Sequence, residues 1–162
     1  MKRMMIAVTL VLLFSLNIFG LTIYADNFDD NGAKVPGWKR SSTSYVSRYT
    51  GSYKKGVAAL RVRKTYNAIT YIKVSPFKNM VLKFKMAAKS LESGEYLRCY
   101  IDTGSGWKTA KTLYNGSDNG VYRSYSVSIA NCNVLKIKFA MKANSTSDYG
   151  YIDDLILTGV RK

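Results

Sequence analysis

Val134-Leu135-Lys136-Ile137-Lys138-Phe139-Ala140-Met141 sets large apolar residues against lysine or alanine at every second step. Period two marks a strand with one buried face and one wet face. The same pattern recurs upstream. Residues 80–86 place Leu82, Phe84 and Met86 on one side and Lys83 and Lys85 on the other. Residues 59–63 alternate apolar and basic, and residues 96–101 bury Leu97, Cys99 and Ile101 while exposing Tyr96, Arg98 and Tyr100. Residues 68–74, 107–113, 121–129 and 151–157 supply further strands. Turn residues separate them, among them Ser75-Pro76, Ser93-Gly94, Gly104-Ser105-Gly106 and the segment 115–120. Eight or nine short strands at this spacing predict an all-β chain folded as an antiparallel β-sandwich. Residues 41–53, rich in Ser, Thr and Tyr, fit either an edge strand or a long loop.

The first residues read differently. Lys2 and Arg3 precede an uncharged run that continues to Tyr24, and Ala25 offers a small residue before the polar segment begins. That is the layout of a secretory signal peptide, with a helical apolar middle. The expected division is a signal peptide over residues 1–25 and a single sandwich domain over 26–162, secreted outside the cell or into a periplasm. An uncleaved anchor is the competing reading, because the run is long enough to span a bilayer. Export permits a disulfide between Cys99 and Cys132, and free thiols fit equally well.

The charge is strongly unbalanced: 25 Lys and Arg against 10 Asp and Glu, a net +15. Such a protein is drawn to polyanions. Arg61, Arg63, Lys83, Lys85, Arg98, Lys136, Lys138 and Lys142 all fall on outward positions of predicted strands. Were those strands neighbours, the cations would form a lattice with Tyr96, Tyr100 and Trp107 between them. Arginine would grip carboxylate, sulfate or phosphate through paired hydrogen bonds, and the aromatic rings would stack on sugars. The expected ligand-binding set is therefore Tyr96, Arg98, Tyr100, Lys83, Lys85, Trp107, Lys136 and Lys138. A merely solvated face is the plainer alternative, since outward lysines also deter edge-to-edge aggregation.

Catalysis finds little support. The chain has no histidine, which removes Ser-His and Cys-His pairs and the commonest general base. Its only glutamates, Glu92 and Glu95, lie near one predicted loop, and nothing in their spacing to Asp102 suits a glycosidase pair. The chain is read as non-catalytic. Half the acids sit at the two ends of the expected domain: Asp26, Asp29 and Asp30 at the start, Asp153 and Asp154 near the close. Like charges brought together need a cation, a basic side chain or solvent between them.

The order of several short motifs resembles a known group. Phe28-Asp29-Asp30 is followed by Gly37-Trp38 and a Gly-x-Ala-Ala-Leu strand over residues 56–60. Then come Leu82-Lys83-Phe84, Gly94-Glu95-Tyr96-Leu97, Gly104-Ser105-Gly106-Trp107, Lys138-Phe139-Ala140-Met141 and Tyr151-Ile152-Asp153-Asp154-Leu155. This resembles the secreted jelly-roll modules of the galactose-binding-like and MAM-like group, which include carbohydrate-binding modules. The resemblance implies a jelly roll, a glycan partner, and one structural Ca²⁺ near the chain ends, for which Asp26, Asp29, Asp153 and Asp154 are the matching positions. Fold carries function weakly. Three functions stay open from sequence: a secreted binder of carbohydrate or anionic extracellular polymer, a charge-driven binder of nucleic acid or anionic membrane, and a structural extracellular protein. No motif for specific nucleic-acid readout is present, and the oligomeric state is not fixed.

Overall fold

The computed structural model describes residues 20–29, 35 and 37–162. Residues 1–19, which hold most of the expected leader and its helical middle, lie outside the described part, as does Asp30.

Among the described residues eleven strands run in chain order: β1 (Leu21–Asp26), β2 (Lys39–Arg40), β3 (Val46–Tyr49), β4 (Ala59–Arg63), β5 (Asn67–Lys73), β6 (Phe77–Lys89), β7 (Tyr96–Asp102), β8 (Lys108–Tyr114), β9 (Arg123–Ile129), β10 (Val134–Lys142) and β11 (Tyr149–Arg161). They form two antiparallel sheets packed as a jelly-roll sandwich. One has six strands in the order β3-β4-β11-β6-β9, with β1 also paired to β11; the other has five, β2-β5-β10-β7-β8. The count exceeds the expected eight or nine because short or disguised strands at the N-terminal end escape a test based on alternation.

The inward positions are those the alternation marks. Leu82, Phe84 and Met86 of β6 meet Leu135, Ile137, Phe139 and Met141 of β10 in one core, all at most 2% exposed. Phe139 joins the layers: its ring stands edge-on to Phe84 at 5.3 Å and tilted against Trp38 at 5.8 Å. Offset and edge-on ring contacts of this kind add to the stabilisation from burial. Cys99 lies in this core and Cys132 is half-buried, both as free thiols.

β11 organises the six-stranded sheet. Its first residues, from Tyr149 to Ile152, lie between β4 and β6. Beyond a bulge that carries Asp154 at φ 48°, its second half lies between β1 and β6. An Asp accepts this left-handed backbone more readily than most residues. Leu21–Asp26 thus continues the place of β4 along β11. Ile23 and Tyr24 pack against the core. The expected boundary after Ala25 falls inside this strand, and residues 21–25 are part of the sandwich. In the undecided segment 41–53, an edge strand forms at Val46–Tyr49.

Candidate functional site

The outer face of the five-stranded sheet is built by register. On β10, Lys136 and Lys138 point away from the core, between Leu135, Ile137 and Phe139, which point in. Antiparallel pairing sets Lys136 opposite Asp102 and Tyr71, Lys138 opposite Tyr100 and Ile69, and Ala140 opposite Arg98 and Asn67. Tyr96 stands between Lys142 and Tyr114. Residues of β5, β7, β8 and β10 thereby share one surface.

Cations and rings interleave on it. The Lys138 ammonium lies 4.6 Å from the Tyr100 ring centre and 4.3 Å from that of Trp107. The Arg98 guanidinium lies 3.9 Å from the Tyr96 ring and 5.5 Å from Tyr100. Arg98 also donates to the Thr112 hydroxyl and the Tyr100 hydroxyl, each at 3.1 Å. Each such contact is worth about 0.5–1 kcal/mol at a wet site; its larger effect is to fix where the charged ends point. Burial works to raise the Tyr100 phenol. The Tyr96 hydroxyl, Arg98 and Lys138 outweigh it, and the Tyr100 pKa falls below that of an ordinary tyrosine. Trp107 is 37% exposed and Tyr114 53%, so flat rings remain open to a ligand.

Asp102 trims and shapes this surface. It accepts from Lys136 at 2.9 Å and from the amides of Gly104 and Gly106 at 2.7 and 3.0 Å. The Lys136 ammonium, then the Gly104 amide, hold its carboxyl below the usual range. Gly104 and Gly106 both have positive φ, a backbone that glycine adopts without strain. The turn delivers Trp107 beside Lys138.

Six residues of the expected ligand set therefore meet on one face: Tyr96, Arg98, Tyr100, Trp107, Lys136 and Lys138. Lys83 and Lys85 do not join them. β6 belongs to the other sheet, so these two lysines lie on the opposite side of the sandwich. There they line an open groove of about 410 Å³ with Ser124, Ser126, Asp154 and Ile156. Alternation gives the side of a strand that faces water, not the sheet to which the strand belongs. Sequence reasoning also missed Lys39, whose ammonium lies 5.6 Å from the Tyr71 ring; a two-residue strand leaves no periodic signal.

The terminal aspartates have separate partners. Asp26 accepts from the Trp38 indole at 2.7 Å, the Tyr24 hydroxyl at 3.1 Å and the Phe28 amide at 2.9 Å. Asp29 accepts from the amides of Val57 and Ala58 at 2.7 and 2.8 Å. Asp153, fully buried, accepts from the amides of Lys55 and Asp154. Asp154 pairs with Lys85 at 2.6 Å. Each of these four carboxylates is thus held by donors of the protein itself. Among the described residues no three of His, Cys, Asp and Glu are grouped to hold a metal.

Carboxylates elsewhere are committed in the same way. Glu95 accepts from the amides of Glu92 and Asn144, Asp118 from those of Leu91 and Gly116, and Asp148 from that of Ser145. Among the described residues, Lys85 and Lys136 alone have a carboxylate within 4.0 Å. The acids stabilise loops, and most of the positive charge is left facing solvent without an acidic partner.

No family profile and no curated protein sequence matches the chain. Solved structures do match. A family 61 carbohydrate-binding module, TmCBM61, in complex with beta-1,4-galactotriose, superposes with a TM-score of 0.62 at 15% identity, over 80% of this chain and 92% of that one. The C-terminal family 22 carbohydrate-binding module of Clostridium thermocellum Xyn10B gives 0.61 at 15% identity, over 86% and 94%. TmCBM27, a module of specific mannan recognition, gives 0.53 at 15% identity, over 87% and 98%. The chain has the galactose-binding-like β-jelly-roll fold of these modules. At this identity the likeness is one of fold.

Proposed function

We propose that this chain is a non-catalytic carbohydrate-binding module, presented outside the cell, whose ligand carries carboxylate or sulfate groups. One observation carries the reading: Arg98 and Lys138 stand interleaved with Tyr96, Tyr100 and Trp107 on the outer face of the five-stranded sheet. Rings held this way offer stacking surfaces for sugar. The cations between them offer fixed donors for an anionic substituent, strongest where Arg98 meets it through two nitrogens. The fold supports the reading, because solved neighbours bind galactotriose and mannan. The non-catalytic part rests on the carboxylates, which hold main-chain amides at loops rather than facing one another across a cleft. Secretion rests on the basic start and apolar run of the N-terminal segment.

Affinity electrophoresis through polygalacturonate tests this, with neutral galactan as the control. Wild-type protein is expected to be retarded by polygalacturonate at moderate salt. Trp107→Ala and Lys138→Ala should each reduce that retardation about ten-fold, the loss of roughly one stacking or charged contact. Wild-type retardation of both variants would sink the reading. A collapse of wild-type binding at moderate salt, with duplex DNA bound equally well, would favour the charge-driven alternative.

A further inference from the structure

The opposite side of the sandwich carries a second set of cations, built from different strands. On β4, Arg61 and Arg63 point away from the core while Leu60 and Val62 are fully buried. Pairing sets Arg61 between Ser47 and Tyr151, and Arg63 beside Tyr149. The Arg61 guanidinium lies 4.7 Å from the Tyr49 ring and 5.9 Å from Tyr149. That of Arg63 lies 5.4 Å from Tyr45, where the Lys64 ammonium also sits at 5.3 Å. Lys89, opposite Tyr149 on β6, lies 5.1 Å from Tyr53.

The tyrosines form a fixed floor. Tyr151, 2% exposed, stacks or tilts against Tyr49, Tyr53 and Tyr149 at 5.1 to 6.0 Å. The Nε atoms of Arg61 and Arg63 are buried with no acceptor. Among the described residues each guanidinium makes one hydrogen bond, Arg61 to the Ser47 hydroxyl at 3.4 Å and Arg63 to the Ser44 carbonyl at 2.9 Å. Arginine carries five donors, so both keep terminal N–H groups in hand, on planes held by the rings. No carboxylate lies within 4.0 Å of Arg61, Arg63, Lys64 or Lys89 among the described residues. A pair of oriented guanidinium groups two residues apart on a strand, flanked by free lysines, fits successive anionic groups along a polymer.

We propose that this face is a second binding site for a carboxylate- or sulfate-bearing polysaccharide, and that the protein bridges two polymer chains. For the class of polymer the proposal rests on the reading of the first face; for the site it rests on Arg61 and Arg63 with Lys64 and Lys89 beside them. Sheets in a sandwich pack about 10 Å apart, so with side chains the two outer faces stand roughly 20 Å apart. A polymer lying along one face leaves the other free, and two chains tied by one protein give network formation without any new contact.

The test mixes the full chain with polygalacturonate, for carboxylate, or dextran sulfate, for sulfate, and follows light scattering across protein-to-polymer ratios. The same proteins are passed over immobilised polymer to measure binding. Wild-type protein is expected to give a scattering maximum that dissolves in excess polymer. An Arg61→Gln/Arg63→Gln double variant should keep binding through the first face and lose at least ten-fold of the scattering. A Lys64→Gln/Lys89→Gln variant, which leaves the stacked arginines in place, should lose scattering several-fold with an unchanged melting temperature. Wild-type scattering from both double variants overturns the second face. Binding left undiminished when Trp107→Ala/Lys138→Ala is added to the arginine variant overturns the first-face reading instead, and leaves the scattering of the arginine variant to judge the second. Equal scattering with duplex DNA overturns the ligand class.

Discussion

Replacing Asp29 by alanine removes an anchor that joins the start of the domain to the entry of β4. One carboxylate oxygen accepts from both Val57 and Ala58, at 2.7 and 2.8 Å, and the other accepts from the Asn27 side chain at 2.9 Å. The three donors do not suffer equally. Val57 is 53% exposed, and Asn27 is on the surface; water replaces the lost acceptor there, at about 0.5–1 kcal/mol each. Ala58 is fully buried, so its amide is left without a partner, which costs about 1–3 kcal/mol. The total is about 2–5 kcal/mol. For a domain of this size each kcal/mol lowers the melting temperature by about 3–4 °C, so Asp29→Ala should melt about 6–20 °C below wild type. Asp29→Asn keeps one oxygen that serves both amides and loses the charge; it should fall between the two, about 3–5 °C below wild type. Thermal unfolding by circular dichroism reads the order, and hydrogen exchange at the Ala58 amide reads the cause. Asp29→Ala melting within about 2 °C of wild type, with Ala58 still protected, would refute the argument.

Three further outcomes follow from other parts of the molecule. Phe139→Ala leaves a cavity between Phe84 and Trp38 at the centre of the core and should cost about 3–5 kcal/mol, read by chemical denaturation; a loss under about 1 kcal/mol would mean that the rings do not carry the contact between sheets. Burial lifts the Asp153 carboxyl to about 6 from an ordinary 3.8, so the folded protein holds that proton more tightly than the unfolded chain does. Its favourable contribution is full below about 4 and fades as pH rises through about 6, so the melting temperature of Asp153→Asn relative to wild type should climb between pH 4 and 7; a constant difference would contradict this. A chain begun at Asp26 lacks β1 and should melt well below a chain begun at Leu21, and aggregate more readily through the bared edge of β11; equal melting would show that β1 adds nothing.

Alternation made most of the sandwich legible, because β4, β6, β7 and β10 each bury one face and wet the other. β1 was not legible. Its residues Leu21-Thr22-Ile23-Tyr24-Ala25 continue an uncharged run, and no charged residue interrupts the run until Asp26. β2 is too short to show a period, and β3 pairs along an edge with Ser, Arg and Tyr that suit a loop equally. For the proposed binding face, the sequence located the outward cations but not their partition. Lys83 and Lys138 look alike in one dimension, and only the long-range pairing of β6 with β9 and of β10 with β7 sends them to opposite sides. The second face was less visible still. Arg61 and Arg63 stood out as outward cations, but Tyr45, Tyr49 and Tyr149 reach them from distant segments that carry no shared motif.

The carboxylates that grip main-chain amides divide the charged residues into two kinds. Loss of Asp29, Glu95, Asp102 or Asp153 unfastens a loop, so these acids are fixed points of the fold. Most lysines hold nothing in place. Substitutions can therefore lower the positive charge in small steps, tuning attraction to anions and its sensitivity to salt, while the sandwich stays intact. Acids cannot be shed so freely. A lineage of such proteins would be expected to vary widely at its surface lysines and scarcely at all at its buried aspartates, with its attraction to anions adjusted separately from its stability.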